Sequence, residues 1–441
     1  MSATGMTDTS GRVDNSVRQR TDESIGFLRT LIALGKQGEA AVQAHVASAL
    51  AEAGCVVEHL CYRPADVSVR DEFASSGAMD AEQRVSIVAR LKGTGGGRSV
   101  IFFAHPDSEP LRNIESWTHE PFAGTIQNGR IHGWGVADDL AGVAGFVEAV
   151  RAVVGAGLRP RGDVILASTP SKRHARGVFH VLQSGFSADA AVYMHPAESG
   201  VGMREIKAVA SGIVLFKVTV TGCLPDTNEP SHTAFAHRAV NPLDKALVLI
   251  GALRALDAER GLRVRHPVIE KAVGRATNLL VANLACGHEG EHARLAPECS
   301  FGASLSFPPG ERMIDVQAEI TAALKASCEA DPWLAFHPPK IEWVSGVTGA
   351  ELPENHPLYA IVAAAVTEVT GSEPFVNPLH TSSDIRVPMV QVGIPTVGLG
   401  PLGGNLTQNG CQDEWVDVAD YIRSIQVAAL VIADWCGVTD A

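Results

Sequence analysis

The chain has 441 residues, of which 46% are hydrophobic and 19% charged, enough for two or three folded domains and unlike a disordered chain. A net charge of -13 and only 5% aromatic residues argue against nucleic acid or an anionic membrane as the main partner. No apolar run approaches the roughly 18 residues of a spanning helix, and the first residues lack the apolar core of a secretory signal.

Residues 1–20 are polar and Ser/Thr-rich and are expected to be a flexible N-terminus. Residues 21–54 read as helix, with a break at Gly35 and a stop at Gly54. A strand follows at 55–63, a polar connection at 66–82, and strands at 85–91 and 100–104. The last of these, with the helix expected at 140–154, brackets His105, Asp107, Asp138 and Asp139. A His and then a carboxylate about thirty residues on, both at strand-to-helix junctions, is how open α/β sheets build ligand sites. Further strands at 163–168 and 190–194, the latter ending at His195, alternate with a helix at 175–184. That rhythm implies a mainly parallel sheet with helices on both faces.

The rhythm changes near residue 211. The sequence 212–222 alternates like an antiparallel strand, and a Pro/Asn-rich insert leads to SHTAFAHRAVNP at 231–242. A helix from 242, strands at 276–285 and 299–307, and a helix at 313–329 complete a compact α+β unit. From residue 340 the α/β pattern is expected to resume, with a strand near IEWVSG, a helix at 357–370 and a last helix at 418–435. The expected division is therefore a flexible 1–20, a catalytic domain over 21–211 and 334–441, and an inserted ferredoxin-like lid and dimerisation domain over 212–333. The eight Cys are scattered and form no C-x-x-C pair, which suits free thiols in a reducing cytoplasm.

Several runs together carry a family resemblance. They are AHPD at 104–107, W-x-x-x-P-F at 117–122, NGRIHGWGVADD at 128–139, SHTAFAHRAVNP at 231–242, and SSDIR at 382–386 followed by GIPTVGLGP. The chain resembles the co-catalytic zinc amidohydrolases and exopeptidases that include acetylornithine deacetylase, succinyl-diaminopimelate desuccinylase, carboxypeptidase G and aminoacylase. The resemblance implies one metal bound by His105, Asp138 and His195, with the Asp107 carboxylate orienting His105. It also implies that His232, nine residues before Asn241, polarises the scissile carbonyl across a homodimer. Arg294, Asn241, Ser383 and Asp384 fall where the family lines its substrate.

The sequence departs from that pattern at one metal subsite. Where the family has a Glu-Glu pair, the general base and a metal ligand, this chain has Lys172 and Arg173. Where the family has a C-terminal His, four residues before Glu414, it has Gly410. The expected Arg for a substrate carboxylate falls at Ser306. Two cations and a missing ligand oppose a second divalent metal. What remains is a three-ligand set for one Zn²⁺, or a metal-free site in which Arg173 and His232 act on a carbonyl. Asp139, Glu198, His174 and Lys172 are the nearby candidates for a replacement base. The implied function is an atypical amidohydrolase acting on an N-acyl amino acid, dipeptide or related amide. Amide formation or cyclisation is an open variant, and an inactive binding or regulatory member is the alternative. The implied partners are a small amide substrate and a second copy of the chain.

Overall fold

A computed structural model describes residues 3–74, 79, 82–172, 175–197, 199–377, 383–404 and 412–441. In chain order its main elements begin with α1 (Ala3–Gln19), α2 (Thr21–Gly35), α3 (Glu39–Glu52), β1 (Val56–Tyr62), β2 (Arg84–Leu91), β3 (Val100–Ala104), α4 (Ala141–Gly155), β4 (Val164–Ser168), α5 (Arg176–Gln183) and β5 (Ala190–Met194). They continue with β6 (Gly212–Thr221), α6 (Pro242–Arg263), β7 (Asn278–Cys286), β8 (Glu298–Phe307), α7 (Met313–Ala330), β9 (Lys340–Val347), α8 (Pro357–Thr370), β10 (Thr396–Leu399) and α9 (Val418–Cys436). The chain divides into two compact units, one of residues 1–70, 76–209 and 351–441, the other of 71–75 and 210–350.

The first unit is built on a six-stranded sheet in the order β1-β2-β4-β3-β5-β10. β3 runs parallel to β4 and β5, and β5 runs parallel to β10, while β2 pairs antiparallel with β1 and β4. The parallel strands are buried along their whole length. This is why they read as unbroken apolar runs rather than as alternation. α4 packs beneath them with a face of Val143, Phe146, Val147 and Val150, all fully buried.

Two sequence expectations are corrected here. Residues 3–19 are not loose but form α1, which packs against α9 and α4 and buries Val13 and Val17. Val13 and Val17 stand one helical turn apart, a stripe too thin to show among polar neighbours. Arg12 fastens the helix further by donating to the carbonyls of Ala156 and Gly157, just past the end of α4. The Ala156 carbonyl, at the C-cap of α4, is one of the acceptors that a helix end leaves without an intrahelical partner.

The second unit is a four-stranded antiparallel sheet in the order β7-β8-β6-β9, with α6 and α7 on its buried face. The inner row of β6, Val214, Phe216, Val218 and Val220, meets Leu249 and Leu253 of α6 and Ile320 and Leu324 of α7. The expected boundary at 333 is also overturned. The IEWVSG segment is the edge strand β9, paired to β6, so the insert runs to residue 350. Arg260 is almost fully buried, held by the carboxylates of Glu311 and Glu319.

Candidate active site

Three side chains converge at the carboxyl ends of the parallel strands. His105 follows β3 directly, His195 follows β5, and Asp138 lies in the segment that leads into α4. All three are buried. His105 Nε2 lies 3.0 Å from Asp138 Oδ1, and His195 Nε2 lies 3.4 Å from the same oxygen. One ligand atom from each residue falls within 4.8 Å of the others, so the cluster could hold a metal ion. The fit has a second sign. Asp138 Oδ1 is buried with no hydrogen-bond donor aligned on it, although both rings stand close. A carboxylate oxygen left in that state suits a metal ligand better than a structural acceptor.

The loop carrying Asp138 is held from below by Glu414. Its carboxylate accepts from the backbone N–H groups of Gly135, Ala137 and Asp138 at 2.8 to 3.0 Å. Burial, with the Asp138 charge beside it, pushes the Glu414 carboxyl up to about 7. Asp139 is also buried, and one of its oxygens accepts from the His105 N–H. Burial and the neighbouring Asp138 push its carboxyl well above the usual range.

Lys172 enters the cluster from the loop after β4, and its ammonium pairs with Asp138 Oδ2. Burial alone would raise the Asp138 carboxyl, but the Lys172 charge and the two imidazoles hold it well below the usual range. Burial likewise opposes the Lys172 charge, yet the Asp138 carboxylate outweighs it and the ammonium is held above its ordinary pKa. A lysine so placed is a fixed cation and not a base at neutral pH. It leaves only the other Asp138 oxygen, Oδ1, facing the two histidines.

The two histidines differ sharply. Burial would lower His105, but the Asp138 carboxylate beside its Nε2, with Asp139 and Asp107, raises it to about 10. Burial, reinforced by the Lys207 ammonium, pushes His195 down to about 3. Lys207 is buried, and its Nζ stands 2.7 Å from His195 Nδ1. Sequence reasoning missed it. Nothing in the run REIKAVA separates an inward lysine from an ordinary strand charge.

The remaining expected site residues separate into four groups. Asp107 lies in the cluster, but it meets His105 Nδ1 through its main-chain carbonyl at 2.8 Å, with the carboxylate 3.7 Å away. That carboxylate instead accepts from the N–H groups of Ser171 and Lys172 and so fixes the Lys172 loop. Ser383 is buried, and Asp384 pairs with Arg386 at 2.9 Å rather than standing as an open cap. Arg173, His174, Glu198, Ser382 and Gly410 lie outside the described residues.

His232, Asn241 and Arg294 belong to the second unit. His232 caps the short helix Thr233–Arg238 by accepting from the Ala234 N–H at 3.0 Å. Its backbone pairs with that of Arg294, whose guanidinium reaches Ser231 Oγ at 3.3 Å. Arg294 also lines a cavity of about 450 Å³ with Ser231, His288 and Glu291. Asn241 caps α6, its side-chain oxygen accepting from the Leu243 N–H at 3.1 Å.

Comparison with known proteins agrees with this architecture. The chain is 25% identical over 369 residues to N-formyl-4-amino-5-aminomethyl-2-methylpyrimidine deformylase of Halalkalibacterium halodurans, covering 80% of this chain and 83% of that protein. It is 28% identical over 358 residues to succinyl-diaminopimelate desuccinylase of Paracoccus denitrificans, covering 79% and 85%. Among solved structures, human carnosine dipeptidase 1 superposes with a TM-score of 0.66 at 14% identity, covering 97% of this chain and 99% of that one. A dinuclear metal-binding peptidase of Bacillus subtilis gives 0.59 at 12% identity, covering 95% and 99%. At these identities the structures establish the fold. The family model of peptidases M20/M25/M40 matches residues 101–434, most of the chain and all of the cluster, and the protein is a member of that family.

Proposed function

We propose that the protein is an amidohydrolase acting on an N-acylated amino compound, with at most one divalent metal per chain. The observation that carries this reading is the convergence of His105, Asp138 and His195 in a chain that matches the family over residues 101–434. Its curated relatives include a deformylase and a desuccinylase, both of which take an acyl group from nitrogen. A Zn²⁺ held by those three residues would polarise the amide carbonyl. Lys172 supplies a fixed positive charge on the far side of Asp138, suited to stabilising negative charge as a carbonyl is attacked. Because it stays protonated, it donates rather than accepts a proton, and the family's base is not replaced at this position. The same observation favours a second reading, in which the cleft forms or cyclises an amide with a nucleophile carried by the substrate itself.

The remaining parts of the proposal are a homodimer formed through the inserted unit and a cytoplasmic location. Leu280 and Leu284 on the edge strand β7 are exposed, as are Leu247 and Val248 on α6, which suits the first. No helix among the described residues is long and apolar enough to cross a membrane, and the described cysteines are free.

Purified protein incubated with N-formyl, N-acetyl and N-succinyl amines, followed by mass spectrometry, tests the function. Release of free amine that is lost in His105→Ala and Asp138→Ala supports hydrolysis. Water loss from a substrate bearing both an amine and a carboxyl supports the second reading. Neither reaction across the panel rejects both and leaves a binding protein.

A further inference from the structure

We propose that Lys207 is a positioning residue that holds His195 in the tautomer opposite to that of a metal ligand. This cluster then takes a divalent metal only when the hydrogen bond between Lys207 and His195 is given up. The inference rests on the reading of His105, Asp138 and His195 as the metal site.

The argument begins with hydrogen-bond polarity. A lysine ammonium has three donors and no acceptor. Lys207 Nζ donates to the Pro196 carbonyl and stands 2.7 Å from His195 Nδ1, with the Glu205 carboxylate 4.0 Å away. Nδ1 therefore accepts. A neutral imidazole carries one proton, which this places on Nε2, the nitrogen 3.4 Å from Asp138 Oδ1. A histidine that binds metal through Nε2 needs the reverse, with its lone pair on Nε2 and its N–H given to an outer carbonyl or carboxylate. His105 shows the outer half of that arrangement, giving its Nδ1–H to the Asp107 carbonyl at 2.8 Å. At Nδ1 the two rings of one cluster are thus set with opposite polarity: His105 donates there and His195 accepts.

The backbone fixes Lys207 in this place. Its N–H and carbonyl both pair with Gly398, at 2.8 and 2.7 Å. Gly398 lies so close that a Cβ there would stand 3.0 Å from Lys207 Cβ and 3.4 Å from its Cδ. The lysine stem runs along a glycine, which steers the ammonium to His195. Charge acts in the same sense. Lys172 neutralises Asp138 from one side and Lys207 sits behind His195, so two cations flank the position a dication would enter.

Zinc affinity of the full chain, measured by competition with a chromophoric chelator, tests this directly in wild type, Lys207→Met and Lys207→Arg. Lys207→Met should bind zinc at least about tenfold tighter, the scale on which outer partners of metal ligands act, and Lys207→Arg no tighter than wild type. Equal affinity in wild type and Lys207→Met overturns the proposal. Should Lys207→Met fail to fold, nitrogen NMR of isotopically labelled histidine in the wild type decides. A proton on Nε2 of His195 supports the proposal, and a proton on Nδ1 overturns it. Amide turnover by a wild type that retains one tightly bound zinc would sink this inference and leave the proposed function standing. Absence of turnover with the expected affinities would do the opposite.

Discussion

Asp138 is a buried carboxylate shared among three partners, and its two oxygens have different roles. Oδ1 faces the two histidines and Oδ2 takes the Lys172 ammonium. Removing one partner of a buried pair leaves charge without compensation, at a cost of about 3–5 kcal/mol. Lys172→Ala should fall at the lower end of that range, because His105 still faces Asp138, and Lys172→Arg should cost much less. Urea unfolding of the two variants measures both. Equal loss in the two would mean that packing, and not charge, is what Lys172 contributes. Glu414 gives a second expectation. Its carboxyl is raised from 4.5 to about 7, so the folded chain binds more protons than the unfolded chain within that window. Its contribution is therefore fullest below pH 4.5 and is lost as pH rises to 7, by about 3 kcal/mol in all. Glu414→Gln should flatten the fall of stability across that window, even if it lowers stability throughout. Thermal unfolding at several pH values reads the difference in slope. His105, Asp138 and His195 were legible in the sequence because each sits at the end of a local pattern, an apolar run or a helix start. Lys207 was not, because its partner lies on another strand end and is brought near only by sheet pairing.

At the scale of the element, α4 shows how closely the site is tied to packing. A Cβ on Gly142 would stand 2.0 Å from the Met194 carbonyl oxygen at the end of β5 and 2.5 Å from Asp139 Oδ1. Neither neighbour can retreat, since one is backbone and the other a fully buried side chain. Gly145, one turn later, would meet the terminal methyl of Met194 at 3.1 Å and, at ordinary contact distance, Ser424 Oγ at 3.9 Å. Gly142→Ala should therefore destabilise by more than about 4 kcal/mol or prevent soluble expression, the range reserved for severe core disruption. Gly145→Ala should be near neutral, because the flexible methionine yields and alanine is favoured over glycine in a helix by about 1 kcal/mol. Denaturant midpoints of the pair check this, and a similar loss in both would place the constraint elsewhere. The helices and strands that the sequence made legible share one property: their apolar period is long enough to stand out. α1 lacked it, having two buried valines among polar residues, and its helical state is decided by α9, far along the chain.

At the scale of the whole molecule, the two units have separate cores. The second is closed by the rows of β6 and β8 against α6 and α7, with the Arg260 carboxylate network at its edge. The alternation of β6 announced an antiparallel sheet from sequence alone. What it could not announce was its last neighbour. IEWVSG suits an edge strand in either unit, and only pairing assigns it to β6, where Trp343 stands across from Phe216 with ring centroids 5.6 Å apart. That assignment has a consequence for autonomy. A fragment of residues 210–350 retains all four strands and both helices. It should unfold cooperatively, with dispersed amide NMR signals. A fragment ending at 333 loses β9, which turns the central strand β6 into an open edge and uncovers Phe216. Unpaired edges of that kind favour association between chains. The shorter fragment should therefore aggregate or remain molten, as judged by light scattering and loss of near-ultraviolet circular dichroism. Equal behaviour of the two fragments would return the boundary to residue 333 and make β9 an accessory of the insert.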